Sequence, residues 1–214
     1  MEEAVWWNAR DVRAALARLG LNADVLQDAV RAGYLARESR TDNDAPNAPG
    51  IYQWNETLRM VREQLVSMGW RRSNEQGLPT VVNPAGTLAI CVSSGNETTG
   101  IASATPSTKY QKGPCTFDRV EWNAQIEMFP EIRAAVRSNS EGGAIATWTL
   151  LFHTARNELR SELSLPVFMD GSGQINRWKE RIILPPIPLD GDGFKREAEP
   201  DFGPNVDIEI KRRA

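Results

Sequence analysis

Three stretches in the C-terminal half restrict the fold more than any other feature of the chain. In Ala144–Phe152, residues Ala144, Ala146, Trp148, Leu150 and Phe152 fall on one side of an extended chain. Ile145, Thr147, Thr149, Leu151 and His153 fall on the other. Leu159–Leu165 alternates likewise, with Leu159, Leu163 and Leu165 inward and Arg160, Glu162 and Ser164 outward. Asp170-Gly171-Ser172-Gly173 supplies turn residues. Ile175–Leu184 then returns with Trp178, Ile182 and Leu184 inward and Arg177, Lys179 and Arg181 outward. A sustained period of two predicts an antiparallel meander with one buried and one solvated face. Pro185, Pro186 and Pro188 close it.

The N-terminal part has a different period. Residues 4–36 are expected to be helical. Val12, Leu16 and Leu19 recur at helical spacing before Gly20, and Asn22 suits the cap of a second helix, Ala23–Ala32, ended by Gly33. Two short helices around a tight turn form the skeleton of a helix-turn-helix. The outer face of the second helix offers Asp24, Gln27, Asp28 and Arg31, which is nearly neutral, so a helical subdomain packed on the rest is the preferred reading. Residues 38–53 are polar, with Pro46, Pro49 and Gly50 as breakers. A helix capped by Asn55 follows, with the stripe Leu58, Val61, Leu65 and Met68, the stop Gly69, and Trp70 folding back on its last turn. Pro79–Asn83 and Thr87–Ser93 predict a hairpin around Asn83-Pro84-Ala85-Gly86. Helical character returns over 116–137, interrupted at Pro130.

An α+β fold follows, with a helical part over 1–72, an antiparallel sheet domain over 73–189 and a polar tail over 190–214. With 214 residues, seven Trp and six Phe, a sizeable core is expected. The net charge of −3 argues against a globally basic nucleic-acid coat but allows a local basic face. No apolar run approaches the roughly 20 residues of a membrane span. The acidic start MEEAVWWNARDV has no signal-peptide core, so a soluble cytoplasmic protein is expected.

Ile90–Gly113 is a strand that opens into a long loop of small and hydroxyl residues, closed by Lys109 and Lys112. Long polar loops cost conformational entropy and are commonly kept for binding. Ser93-Ser94-Gly95 with Asn96, Glu97 and Thr98 leaves the strand as an anion-cradling loop would, yet the Walker spacing is absent. Cys91 and Cys115 flank the loop and are expected to be free, buried thiols. The single histidine, His153, excludes HExxH zinc hydrolases and other paired-histidine chemistry. No cofactor is implied.

Two further candidates stand beside the loop. The outward residues Arg160, Arg177, Lys179 and Arg181 form a basic sheet face with only Glu162 in opposition, suited to phosphates or an acidic partner. Trp148 and Trp178 belong to the inward parity, so that face lacks stacking aromatics. Glu180 is an inward charge by parity, read as edge protection, a rim position, an arginine's partner or a reactive carboxylate. In the tail, Glu209-Ile210-Lys211 has the E-x-K spacing of metal-dependent nucleases, although alternating charge on a short edge strand explains it as well.

AGY at 32–34, PG at 49–50 with Trp54 and TLRMVRE behind it, SGNETTG at 94–100, TPSTKYQKG at 105–113, ELSLP at 162–166 and WKERIILP at 178–185 resemble a group of bacterial proteins of similar length carried on plasmids, integrative elements and prophages. That group has no established activity, so no catalytic residue carries over. The resemblance implies an accessory protein of mobile DNA, tied to defence or counter-defence. The leading expectation is a non-enzymatic binding protein. Its partner is nucleic acid or a nucleic-acid-handling protein, held by the basic sheet face and the 93–113 loop. The alternatives are a metal-dependent phosphoesterase using Glu97, Glu180 or the tail carboxylates, and a protein–protein inhibitor or adaptor.

Overall fold

The alternating segments form the centre of one mixed sheet. The computed structural model describes residues 3–128 and 145–189. Within them the strands are β1 (Ala4–Trp6), β2 (Arg71–Ser73), β3 (Thr80–Val82), β4 (Leu88–Ser94), β5 (Ala146–Thr154), β6 (Glu158–Met169), β7 (Ile175–Ile183) and β8 (Ile187–Pro188). They run in the order β1-β7-β6-β5-β4-β3-β2, with β8 also pairing with β6. The helices are α1 (Ala9–Arg18), α2 (Ala23–Glu38), α3 (Ala48–Ser67) and α4 (Pro114–Met128). The fold is α+β. No described helix is long and apolar enough to cross a membrane.

The β5–β6–β7 meander is antiparallel, as the alternation predicts, and so is the β3–β4 hairpin. Two pairings are parallel instead. β4 runs beside β5 with Leu88 opposite Ala146, because the connection between them carries α4. β1 lies parallel to β7, with Ala4 opposite Glu180. The expected helix over 4–36 is therefore corrected at its start. Its first residues form an edge strand, and Asn8 begins α1 by accepting a hydrogen bond from the Asp11 N–H.

Asn22 caps α2 as expected, accepting from the Val25 N–H. Gly33 does not end that helix, which continues to Glu38. A Cβ at Gly33 would stand 2.0 Å from Thr57 Oγ1 and 2.6 Å from the Gln53 carbonyl oxygen, so glycine is there to let α2 and α3 touch. Pro49 and Gly50 are likewise not breakers. Proline fits the first turn of a helix, where its missing N–H has no role, and α3 starts at Ala48 rather than at Asn55. At the other end Gly69 has φ +88° and the Trp70 N–H donates to the Leu65 carbonyl, closing the helix as its sequence predicts.

The three N-terminal helices cover one face of the sheet. Leu16, Leu26, Val30, Val61 and Leu65 pack there against Ile90, Trp148, Leu150, Leu163 and Ile182. Each such side chain contributes about 1.5–3 kcal/mol when fully buried. The other face is not solvated, contrary to the alternation-based expectation. α4 and the 95–113 segment cover it, and Val120 packs there on Leu151, Ile175 and Trp178. Asn123 fixes α4 in place. Its amide donates to the carbonyls of Thr147 and Pro166 at 2.9 Å, and its Oδ1 accepts from the Thr147 N–H at 3.0 Å.

Trp178 changes face for a local reason. Pro166 has no N–H to give the ladder, and the register slips there: Leu165 is opposite Glu180, but Pro166 is opposite Trp178. The extra residue, Lys179, puts Trp178 under α4 while Ile182 stays under the N-terminal helices. Ala144, Pro130, the tail over 190–214 and its Glu209-Ile210-Lys211 lie outside the described residues.

Candidate functional site

The polar loop that leaves β4 is an organised cover. The Asn96 N–H donates to the Ser107 carbonyl at 3.0 Å. Asn96 Oδ1 accepts from the Ser107 N–H at 3.1 Å and from the Thr98 hydroxyl at 2.8 Å. The chain then comes back beside the strands. The Lys109 N–H donates to the Ser94 carbonyl at 2.9 Å, and the Thr108 N–H to the Ile175 carbonyl at 3.0 Å. Trp178 Nε1 donates to the Pro106 carbonyl at 2.8 Å. Thr98, an expected ligand-facing hydroxyl, instead turns inward, its one proton shared between Asn96 Oδ1 and the Thr105 carbonyl 3.0 Å away. Glu97 is exposed.

Beneath this cover lies a buried ion pair that the alternation assigns to solvent. Arg181 is 1% exposed and Glu162 0%. Arg181 Nε donates to Glu162 Oε1 at 2.9 Å, and one terminal nitrogen donates to Oε2 at 2.7 Å. The carboxylate also accepts from the Ser164 hydroxyl at 2.7 Å and from the Gly100 N–H at 2.9 Å. The guanidinium also donates to the carbonyls of Ala104 at 2.6 Å and Ile101 at 3.1 Å. A buried ion pair holds only when its remaining donors and acceptors are used, and here the loop supplies them. Glu3 approaches Arg181 Nε at 3.9 Å. Burial pushes the Glu3 carboxyl up, Arg181 opposes that shift, and Glu162 adds to it.

The expected basic sheet face is thus taken apart. Arg181 is internal. The Arg160 side chain is 14% exposed, with its Nε 3.4 Å from Glu158 Oε1. Lys179 is half-buried in the bulge. Lys112 is half-buried as well. Its N–H donates to the Gly173 carbonyl at 2.8 Å, and burial pushes its amine down. Lys109 and Arg177 are exposed.

Those two cations share one end of the sheet. The 108–112 segment runs beside the turn that joins β6 to β7: the Ile175 N–H donates to Thr108 Oγ1 at 3.1 Å, and the Gln174 amide reaches the Lys109 carbonyl at 3.5 Å. Asp170 holds that turn rigid. It accepts from the Ser172 N–H and hydroxyl, the Gln174 N–H and the Asn176 amide at 2.6–3.0 Å, and the Ser172 hydroxyl above all holds its carboxyl below the usual range. Each exposed cation has a ring. Lys109 Nζ lies 5.4 Å from the Tyr110 ring centre, and the Arg177 guanidinium 4.6 Å from that of Phe168. Tyr110 is 58% exposed and Phe168 41%. Sequence reasoning missed both rings. Phe168 shares the outward parity of β6 with the buried Glu162 and Ser164, and Tyr110 stands in a loop without a period, so the pattern alone does not show that either ring is exposed.

The remaining candidates are held apart. Glu180 faces the N-terminal helices, accepting from Trp6 Nε1 at 2.7 Å and from Arg18. Its strand is not an edge, because β1 covers it, so the edge-protection reading is corrected to a partner of Arg18 and Trp6. Glu97 belongs to the cover on the opposite face, so the two carboxylates do not converge. Among the described residues no three His, Cys, Asp or Glu side chains meet as metal ligands would. His153 Nδ1 lies 3.4 Å from the Gly95 carbonyl; burial lowers its pKa, and the contact with that carbonyl opposes the shift. Cys91 and Cys115 are free, Cys91 buried and Cys115 partly so. Burial pushes the Cys91 thiol up. In the helix pair, Gln27 of α2 donates to the Pro185 carbonyl at 2.8 Å, and Leu26, Ala29, Val30 and Gly33 are buried, so α2 is built into the body of the fold.

No protein-family model matches the chain, and no curated protein and no solved structure matches it either.

Proposed function

We propose that this chain is a non-enzymatic binding protein and that its partner is nucleic acid. The contact is made at the end of the sheet where 108–112 meets the β6–β7 turn. One observation carries the reading: Lys109 and Arg177, the exposed members of the expected cation set, stand on adjacent, hydrogen-bonded segments, and each lies near an exposed aromatic ring. Cations set against phosphates and rings set against bases are the paired needs of nucleic-acid recognition. The resemblance to proteins of plasmids, integrative elements and prophages fits such a partner, in an accessory role for mobile DNA.

The net charge of −3 makes the interaction local rather than global. Two phosphate contacts give a salt dependence of about −1.4 to −1.8 in log–log slope. The test is fluorescence anisotropy with labelled oligonucleotides at low salt, comparing the protein with its Lys109→Glu/Arg177→Glu variant. Binding by the wild type and its loss in the variant are expected. Equal affinity in the two proteins removes the proposal.

A further inference from the structure

Within that reading, on which this inference rests, we infer that the nucleic acid is single-stranded and that Tyr110 and Phe168 are its base-stacking platforms. Both rings are exposed, Tyr110 at 58% and Phe168 at 41%. Each sits beside a cation, at 5.4 Å for Lys109–Tyr110 and 4.6 Å for Arg177–Phe168. A base stacks on a ring of this kind while the adjacent cation takes the phosphate beside it.

The platforms are mounted on rigid backbone. Thr108 and Ile175 exchange two hydrogen bonds at 3.0 and 3.1 Å, one of them through the Thr108 hydroxyl. The Lys112 N–H is tied to the Gly173 carbonyl at 2.8 Å. Phe168 faces Arg177 in the β6–β7 register. Backbone held in place before binding has less conformational freedom to lose, which favours stacking.

A duplex suits this surface poorly. Its bases are already stacked on one another, and reading their edges requires a helix or ribbon that enters a groove. The aromatic–cation end joins the end of β6, which carries Phe168, and the start of β7, which carries Arg177, to the short 108–112 segment hydrogen-bonded alongside them, so this hairpin is not a free ribbon. Single-stranded bases, in contrast, have free faces of any sequence. Sequence-tolerant binding with a preference for unpaired strands follows.

The experiment uses the full chain with a labelled oligothymidylate of about 12 nucleotides and a duplex hairpin of equal charge. The wild type is expected to bind the single strand more tightly. Tyr110→Ala/Phe168→Ala is expected to weaken single-strand binding by about thirtyfold, the low end for two stacked bases. Tyr110→Leu/Phe168→Leu, which keeps apolar bulk without a π face, is expected to show the same loss. Unchanged melting of both variants shows that the fold is intact.

The inference is overturned if the wild type binds the duplex as tightly as the single strand. It is also overturned if either aromatic variant keeps wild-type affinity while Lys109→Glu/Arg177→Glu loses it. In both cases nucleic-acid binding itself survives. Failure of the wild type to bind either probe overturns both readings.

Discussion

The two faces of the sheet are closed by different chemistry. On one face Leu150 and Leu163 are cross-strand partners, fully buried under helices. On the other, Glu162 and Arg181 lie on neighbouring strands, equally buried, under a loop that supplies backbone donors and acceptors. Apolar packing tolerates approximate partners, because its strength follows area and volume. A buried ion pair is intolerant, because either charge left alone in a low-dielectric interior is costly. The first face therefore depends on bulk and the second on pairing.

Breaking the pair is expected to have the largest effect. Arg181→Met leaves Glu162 buried and uncompensated and costs about 3–5 kcal/mol, read as a shift in the urea unfolding midpoint. A cost below about 1 kcal/mol would contradict full burial of the pair. Adding Glu162→Met should recover the share of the loss that comes from the uncompensated carboxylate, while the Gly100 N–H and the Ala104 and Ile101 carbonyls remain without these partners. The apolar face should show no such rescue. Leu163→Ala costs about 2–5 kcal/mol, and adding Leu150→Ala deepens the loss. Rescue on the Leu face, or accumulation on the Glu–Arg face, would erase the distinction.

A smaller effect is expected where α2 meets α3. Gly33→Ala forces a methyl group against the Gln53 carbonyl and the Thr57 side chain, and overpacking of this kind costs about 1–3 kcal/mol. An unchanged melting temperature would show that the helices separate freely.

The smallest effect belongs to His153, on the covered face. Burial lowers its folded pKa, so the unfolded chain takes up the proton first as the pH falls below about 6.5. Stability is thus lost as pH drops from about 6.5 through the lowered folded value, and is flat below it. Glu3, whose pKa is raised, gives the opposite sign in the acid range, because its folded form holds the proton more tightly. Comparing wild type with His153→Gln isolates the histidine. Identical pH profiles would sink this assignment.

The sequence showed the meander, the hairpin and the caps because each is a local signal, as at Asn22, Gly69 and the alternation through Leu163 and Leu165. It hid the cover. Alternation states which residues share a face but not whether a distant segment lies upon it. Arg160, Glu162 and Ser164 read as solvent-facing until the loop over 95–113 is seen to close on two of them. The parity of Trp178 was lost at Pro166, where one missing donor shifts a register. β1 escaped notice because a strand of three residues leaves no period to detect. Of the candidate site, Lys109 and Arg177 were legible as cations, whereas the exposure of Tyr110 and Phe168 depended on how loop and turn meet.

Amide hydrogen exchange tests the central claim, that the polar loop is a built-in cover that presents the cation–ring pairs at its end. The N–H groups of Asn96, Gly100, Thr108, Lys109 and Lys112 all donate to partners in the fold. They should exchange on the timescale of β5 and β6, and all five should speed up together in Arg181→Met. Exchange of these amides at free-coil rates, with β5 and β6 protected, would mean that the loop is a separate mobile excursion and that the second face is closed by something else.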